Sequence, residues 1–369
     1  MTDFFSGAAL ANLAQHLLPG LWPFVAALLV CVIVVPIAIR LSRRFGVMAQ
    51  PGGRHAHTNP TPLLGGLAMW LAFAAAVLLF LPRDLESLGV LIVSGLAMAL
   101  LIVDDKRGMS PLAKLAIQFG LAVVAATVFG AQIRFFSLPG GHIVELGLLA
   151  LPVSIFWLVG MQNTVNFLDG ADGLAAGVIA IVALVLMLAA GQLKQVEIVQ
   201  LAGALAGCCA GFLIYNFPPA RIFMGDSGAH FLGVALGMIS ILGVAKVAVA
   251  FALAAPVLAL AVPIADTGWA ILRRRRLGQS VASADNLHLH HRLQSFGLDA
   301  RQTCFVFYAA SLLLGGLGLT LFGHGRILAV VLTAALVLTS TVAADLLQHG
   351  GWRIPAPWLR RLLGEPDTR

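Results

Sequence analysis

Eleven apolar stretches, each of about 20 residues, follow one another along this chain and limit its fold more than any other feature. Each is long enough to cross a bilayer as a helix. Helices must do the crossing, because in hydrocarbon every backbone N–H and C=O has to be satisfied within the segment. Composition agrees: 60% of residues are hydrophobic and 11% charged, against roughly 25% charged in a soluble domain. The expected fold class is therefore all-α, a polytopic integral membrane protein. Spans are expected near 21–41, 63–82, 88–103, 112–130, 147–165, 171–191, 196–215, 228–243, 246–272, 303–322 and 326–347. No fixed-period repeat and no soluble domain are visible, so 1–369 reads as one transmembrane domain with a cytoplasmic tail at 348–369. Residues 1–20 lack a basic leader and contain Asp3, so no cleavable signal is expected. Cys31, Cys208, Cys209 and Cys304 lie inside apolar runs without metal-type spacing and read as small buried hydrophobes.

The basic residues set the orientation. Eleven spans put the termini on opposite sides, and with the 42–62 loop inside, 18 of the 23 Lys and Arg fall on the cytoplasmic side. That asymmetry predicts an N-terminus outside and a C-terminus in the cytoplasm. It also accounts for the formal charge of +7 without a nucleic-acid partner. The loops at 42–62, 104–111, 163–173, 216–228 and 273–302 then share the cytoplasmic face. Nucleotides could reach that face, and a lipid could enter it from the inner leaflet.

Only 16 residues are Asp or Glu, and the notable ones form ordered islands in these loops. A carboxylate beside hydrocarbon is costly and needs a partner or a function. Asp104-Asp105, followed by Lys106-Arg107, reads equally as a phosphate or metal site or as a water-facing helix end. Lys114 could hold a diphosphate as a point charge or simply snorkel. Asn163, Asn166, Asp169 and Asp172, spaced by three, would lie broadly along one side of a helix and offer the oxygen ligands that Mg²⁺ prefers. Asp169 or Asp172 could instead cap the helix from 171. In Phe223-Met-Gly-Asp226-Ser-Gly, Asp226 could cap a helix, or Gly225 could let it approach a metal while Phe223 stacks on a base. His288, His290, His291 and Arg292 suit an oxyanion better than zinc, for which no Cys or Glu is suitably spaced. Arg273, Arg274, Arg275 and Arg276 read as a cytoplasmic helix-end anchor.

Together these motifs resemble the polyprenyl-phosphate N-acetylhexosamine-1-phosphate transferase superfamily. The matching pieces are Val103-Asp-Asp-Lys-Arg107, Asn163-Thr-Val-Asn-Phe-Leu-Asp-Gly-Ala-Asp-Gly173, Phe223-Met-Gly-Asp-Ser-Gly228 and His288-Leu-His-His291. Pro62-Leu-Leu-Gly-Gly66, Pro263-Ile-Ala-Asp266 and Asp285 also fit, so the resemblance covers about residues 40–295. The segments Pro62–Gly66 and His288–Arg292 look more like the bacterial UDP-GlcNAc:undecaprenyl-phosphate GlcNAc-1-phosphate transferase branch than the phospho-MurNAc-pentapeptide branch. Asn286 departs from the pattern, which has a basic residue there.

The resemblance implies a magnesium-dependent phosphoglycosyltransferase of the bacterial cytoplasmic (inner) membrane, with Mn²⁺ as a substitute metal. It would move GlcNAc-1-phosphate from UDP-GlcNAc, or another UDP-N-acetylhexosamine, to undecaprenyl phosphate. That step would initiate a lipid-linked polysaccharide of the O-antigen, common-antigen or teichoic-acid type. By the same resemblance Asp226 and Asn166 ligate the metal, and Lys114 holds the donor diphosphate. Asp172 and Phe223 contact uracil, and Asn163 joins the substrate contacts. His288, His290, His291 and Arg292 line the sugar and phosphate pocket. Asp104 and Asp105 face the acceptor phosphate with Asp169 near the donor. Its partners are these two substrates and membrane lipid, and a homodimer is compatible with it. A transporter of a phosphorylated metabolite would instead place polar groups at the midplane and show repeated halves.

Overall fold

The computed structural model describes residues 7–49, 60–137, 143–246, 268–269, 271–273, 275–276 and 299–321. Among these, nine α-helices account for almost all the regular structure. They are α1 (Gly7–Phe45), α2 (Gly65–Phe80), α3 (Leu85–Arg107), α4 (Pro111–Thr127), α5 (Ala150–Leu168), α6 (Leu174–Gln192), α7 (Val196–Asn216), α8 (Gly225–Lys246) and α9 (Ala300–Leu321). Among the described residues six helical segments are long and apolar enough to cross a membrane, and α2 and α4 are shorter apolar helices. The chain is thus an all-α integral membrane protein. The predicted span at 326–347 lies outside the described residues, as does most of that at 246–272.

Several boundaries differ from expectation, and three of them bear directly on the site. Helix α3 does not stop at 103 but runs to Arg107, so Asp104 and Asp105 sit in its last turn. Helix α6 starts at Leu174 rather than 171, leaving Asp169–Gly173 as a tight connection after α5. Helix α8 starts at Gly225 rather than 228, which puts Asp226 inside the first turn. At α3 and α8 polar residues end an apolar run but tertiary partners let the helix extend over them, whereas the left-handed Gly173 (φ +74°) delays the start of α6. Two short ribbons accompany the helices among the described residues. Antiparallel β1 (Met48–Ala49) and β2 (Thr61–Pro62) tie the end of α1 to the start of α2; β3 (Phe135–Ser137) pairs with β4 (Ile143–Glu145).

Helices α1 and α7 run parallel and pack closely because α7 carries glycine every fourth residue. A Cβ at Gly203 would lie 2.3 Å from the Gly20 carbonyl oxygen, one at Gly207 2.1 Å from that of Phe24, and one at Gly211 2.7 Å from that of Leu28. Lipid gives helices no hydrophobic reason to associate, so small residues that let backbones touch supply the packing instead. Gly203→Ala should therefore force α1 and α7 apart at a cost of ~1–3 kcal/mol, typical of overpacking. A drop of several degrees in Tm of the detergent-solubilised protein would register it.

Helix α8 is the central element. Its interior residues are almost wholly buried, and it packs on α2, α3 and α5. Gly233 lies against the backbone of Met161 and Gln162 on α5, and Gly228 lies against Gly66 on α2. The start of α2 is pinned to the segment before α8: Gly65 and Gly66 donate N–H bonds to the carbonyls of Phe223 and Met224, both at 3.0 Å. The Phe223 N–H in turn donates to Pro62 O at 2.8 Å.

Candidate active site

The ends of α3 and α5 and the starts of α4 and α8 meet at one end of the bundle. Ser110 caps α4, its Oγ accepting from the Ala113 N–H at 3.3 Å, and Pro111 fills the first turn. That cap sets Lys114 one turn into α4. Its Nζ lies between two carboxylates, bonded to Asp226 Oδ2 at 2.5 Å and ion-paired with Asp104 Oδ2. One ammonium thus joins three helices.

Asp105, next to Asp104 on the same helical turn, points elsewhere. Its Oδ1 accepts the Asp226 N–H at 2.7 Å and its Oδ2 accepts the Ser227 N–H at 3.2 Å. These are orphan donors at the start of a helix, so α8 is capped by a carboxylate from α3 instead of its own Asp226. A carboxylate at that end is favoured by the helix dipole as well. Gly225 makes room for it: a Cβ there would lie 2.6–2.7 Å from the Asp105 oxygens, and its φ is +72°. The two adjacent aspartates therefore differ, with Asp104 facing the Lys114 ammonium and Asp105 holding backbone.

Asp169 follows α5, its N–H bonded to Val165 O at 3.1 Å. Burial first, and then the charges of Asp226, Asp105 and Asp172, hold its carboxyl well above the usual carboxylate range. Asn166 stands a turn earlier on α5, partly buried. Asn163 is tied into the protein: its Nδ2 donates to Val159 O at 2.8 Å and to Gln118 Oε1 at 2.7 Å.

The connections beside this cluster are braced from α9. Asp172 Oδ2 accepts the Ala220 N–H at 2.8 Å, and Asn216 takes the Gly173 N–H at 3.0 Å while donating to Ile222 O at 2.8 Å. From α9, Arg301 Nε donates to Pro218 O at 3.0 Å, the Cys304 thiol to Asp172 O at 3.0 Å and the Tyr308 hydroxyl to Gly173 O at 2.7 Å. Helix α9 is itself fixed by a reciprocal cap, with Asp299 Oδ1 accepting from the Gln302 N–H and Gln302 Oε1 from the Asp299 N–H. Phe223, partly buried, sits between these connections and α2.

The description of glycosyl transferase family 4 matches residues 87–244, which contain every part of the α3–α4–α5–α8 cluster. A probable undecaprenyl-phosphate N-acetylglucosaminyl 1-phosphate transferase of Bacillus subtilis is 37% identical over 289 residues, covering 77% of this chain and 80% of that protein. The chain belongs to the polyprenyl-phosphate N-acetylhexosamine-1-phosphate transferase superfamily. A decaprenyl-phosphate N-acetylglucosaminephosphotransferase of Mycolicibacterium smegmatis is 34% identical over 342 residues, 84% of each chain. A phospho-N-acetylmuramoyl-pentapeptide-transferase of a Synechococcus species is 32% identical over 338 residues, 85% of this chain and 95% of that one. The protein is accordingly a membrane phosphoglycosyltransferase.

Of the residues singled out from sequence, Asp104, Asp105, Lys114, Asp169 and Asp226 lie in this transferase's carboxylate cluster. Asn163, Asn166, Asp172 and Phe223 flank it. His288, His290, His291 and Arg292 lie outside the described residues, as do Asp266, Asp285 and Asn286. Sequence reasoning passed over Gln118, His230, Asn216, Arg301 and Tyr308. Two of them carried a signal: Gln118 follows Lys114 by four residues and His230 follows Asp226 by four, so each shares a helix face with a chosen residue.

Tyr308 crosses α6 at Gly177, where an added Cβ would lie 2.1 Å from its hydroxyl oxygen. Tyr308→Phe keeps this fit and removes one of the two bonds to the Gly173 carbonyl, which still accepts the Gly177 N–H at 3.0 Å, at a cost of ~0.5–1.5 kcal/mol. In the transferase assay it should raise KM for the nucleotide sugar by several-fold at nearly constant kcat. A fall in kcat at unchanged KM would show that the brace serves something other than donor binding.

Proposed function

We propose that this enzyme transfers GlcNAc-1-phosphate from UDP-GlcNAc to undecaprenyl phosphate, giving undecaprenyl-diphospho-GlcNAc and UMP. One observation carries the reading: Lys114 bridges Asp104 and Asp226 where four helix ends converge. Asp105 and Asp169 crowd further carboxyls beside Asp226, and burial with the Asp226 charge raises that of Asp169 above the usual carboxylate range. Such a site suits a divalent cation with phosphates attached. Mg²⁺ takes one or two carboxylates and completes its shell with phosphate oxygens and water. Asp226, with Asn166, would hold it, and Mn²⁺ would substitute. Bound there, the ion would neutralise charge on the transferring diphosphate.

The chemistry asked of the chain is modest. A phosphate monoester has a second pKa of about 6, so the acceptor is largely dianionic at neutral pH and needs no strong base. An acceptor oxygen attacks the β-phosphorus of the donor in line; the new P–O bond forms as the bond to the UMP oxygen breaks. One diphosphate link replaces another, so alignment and charge neutralisation supply most of the rate. Lys114 would hold the donor diphosphate, and Asp104 would orient the acceptor or its last proton. Asp169, with its raised carboxyl, stays close to the donor. Asp172 and Phe223 would contact the uracil, and Asn163, bonded to Gln118, would support the α4 side of the site. His288, His290, His291 and Arg292 would close over sugar and phosphate. The positive-inside count supports a cytoplasmic site in the bacterial inner membrane, with the N-terminus outside.

The names carried by the relatives support a polyprenyl-phosphate acceptor. Purified protein with Mg²⁺, undecaprenyl phosphate and a panel of UDP-N-acetylhexosamines, including UDP-MurNAc-pentapeptide, tests the donor. UDP-GlcNAc should give the highest kcat/KM for UMP release. Preference for the pentapeptide donor would overturn the assignment, and a covalent phospho-enzyme formed from donor alone would overturn direct attack.

A further inference from the structure

Lys114 and Gln118 lie one turn apart on the same face of α4, and Asp226 and His230 lie one turn apart on the same face of α8. The two pairs meet as rungs. Lys114 Nζ bonds Asp226 Oδ2 at 2.5 Å, and Gln118 Nε2 meets His230 Nε2 at 2.8 Å. Four residues of helix span about 6 Å, so the second rung lies that far deeper in the bundle. Gln118 is 3% exposed and His230 fully buried.

Every donor and acceptor in the deeper rung has its role fixed by its neighbours. Val159 O can only accept, so Asn163 Nδ2 donates to it, and the same amide donates to Gln118 Oε1. That turns Gln118 Nε2 towards His230, with Asn163 Oδ1 also 3.5 Å from it. At the other side His230 Nδ1 faces Asp226 O at 2.7 Å, a carbonyl that can only accept. The imidazole is therefore the neutral Nδ1–H tautomer, accepting at Nε2. The chain of bonds starts on a carbonyl of α5, crosses α4 and ends on the α8 turn that carries Asp226. Gln162 Nε2 adds a bond to Gln118 O at 3.4 Å.

We propose that the Gln118–His230 pair is a positioning rung that sets the height of α4 against α8 and so holds the Lys114 ammonium at the Asp226 carboxylate. The ionic rung cannot do this alone. A lysine is a point charge on a flexible four-carbon stem and follows its partner through small slides. Gln118 and His230 are short, buried and fully committed, so any slide or ring flip sets donor against donor in a dry interior. Their role rests on the site proposed above, because it is the Lys114–Asp226 pair that they register.

Misplacing a reacting group by about 1 Å can cost up to ~10²-fold in rate. His230→Leu and Gln118→Leu should each lower kcat for UMP release by ~10–10²-fold, with a smaller rise in KM for UDP-GlcNAc than Lys114→Met gives, since the ammonium is displaced and not removed. The double variant should be no slower than the slower single one, because either change breaks the same rung. His230→Gln, whose amide can still accept from Gln118, should recover most of the loss. A second readout needs no substrate. If the rung registers the pair, the Tm losses of His230→Leu and Lys114→Met combine to less than their sum. Unchanged kcat in folded His230→Leu, or additive Tm losses, would overturn the rung. Failure of the wild type to release UMP from any UDP-sugar would overturn the proposed function instead, with the thermal cycle still deciding the rung.

Discussion

Lys114→Met should lower kcat/KM for UMP release by ~10³-fold, the scale of removing a principal charge-stabilising group from a preorganised site. The ammonium is the described group that joins Asp104 of α3 and Asp226 of α8. Without it two carboxylates face each other, and a donor diphosphate meets repulsion where it had a counter-charge. Both substrate binding and the transition state lose, so KM should rise and kcat fall together. Lys114→Arg should not restore the rate, because a planar fork cannot replace a compact charge set between two oxygens on different helices. The experiment is steady-state UMP release from detergent-purified protein that elutes as a single folded species. Activity within tenfold of wild type would remove Lys114 from the diphosphate role.

The second large effect should come from a methyl group. Gly225→Ala places a Cβ 2.6–2.7 Å from both oxygens of Asp105 at a residue whose φ is +72°. The left-handed backbone alone costs about 1–2 kcal/mol for a residue with a Cβ. The contact is worse, because relieving it pushes Asp105 off the N–H groups of Asp226 and Ser227. The first turn of α8 then loses its cap and Asp226 its fixed place. Activity should fall by ~10²-fold, the usual consequence of a small misplacement at a reacting centre. Asp105→Asn provides the control: it keeps the shape but points an NH₂ at one backbone donor, and should lose nearly as much. If Asp105→Asn were fully active while Gly225→Ala was not, the damage would lie in backbone strain alone.

Adjacent aspartates show where sequence stops being informative. Asp104-Asp105 stood out as a pair of costly charges, and both suggested an acceptor site. Nothing local separates them, since they occupy one helical turn with the same neighbours in sequence. Their division depends on α8 arriving from more than a hundred residues away with two unpaired N–H groups. Asp226 is a parallel case. Its residue type suggested either a cap or a ligand, and the cap turned out to come from another helix. Gln118 and His230 were hidden for a different reason. Each has apolar neighbours on both sides in sequence, and only the spacing of four from Lys114 and Asp226 hints at a shared face.

The sequence by itself determined the membrane class, most of the helices and the family, because apolar length and ordered motifs are local properties. It also marked Asp104, Lys114, Asp169 and Asp226 as the residues of interest. Tertiary structure alone decided what each charge touches: Lys114 between two carboxylates, Asp105 on backbone, Asn163 and His230 in one buried hydrogen-bond chain. Those pairings are made by helices that cross at their ends, and the energy of a buried polar group depends on what those crossings bring to it rather than on its neighbours along the chain.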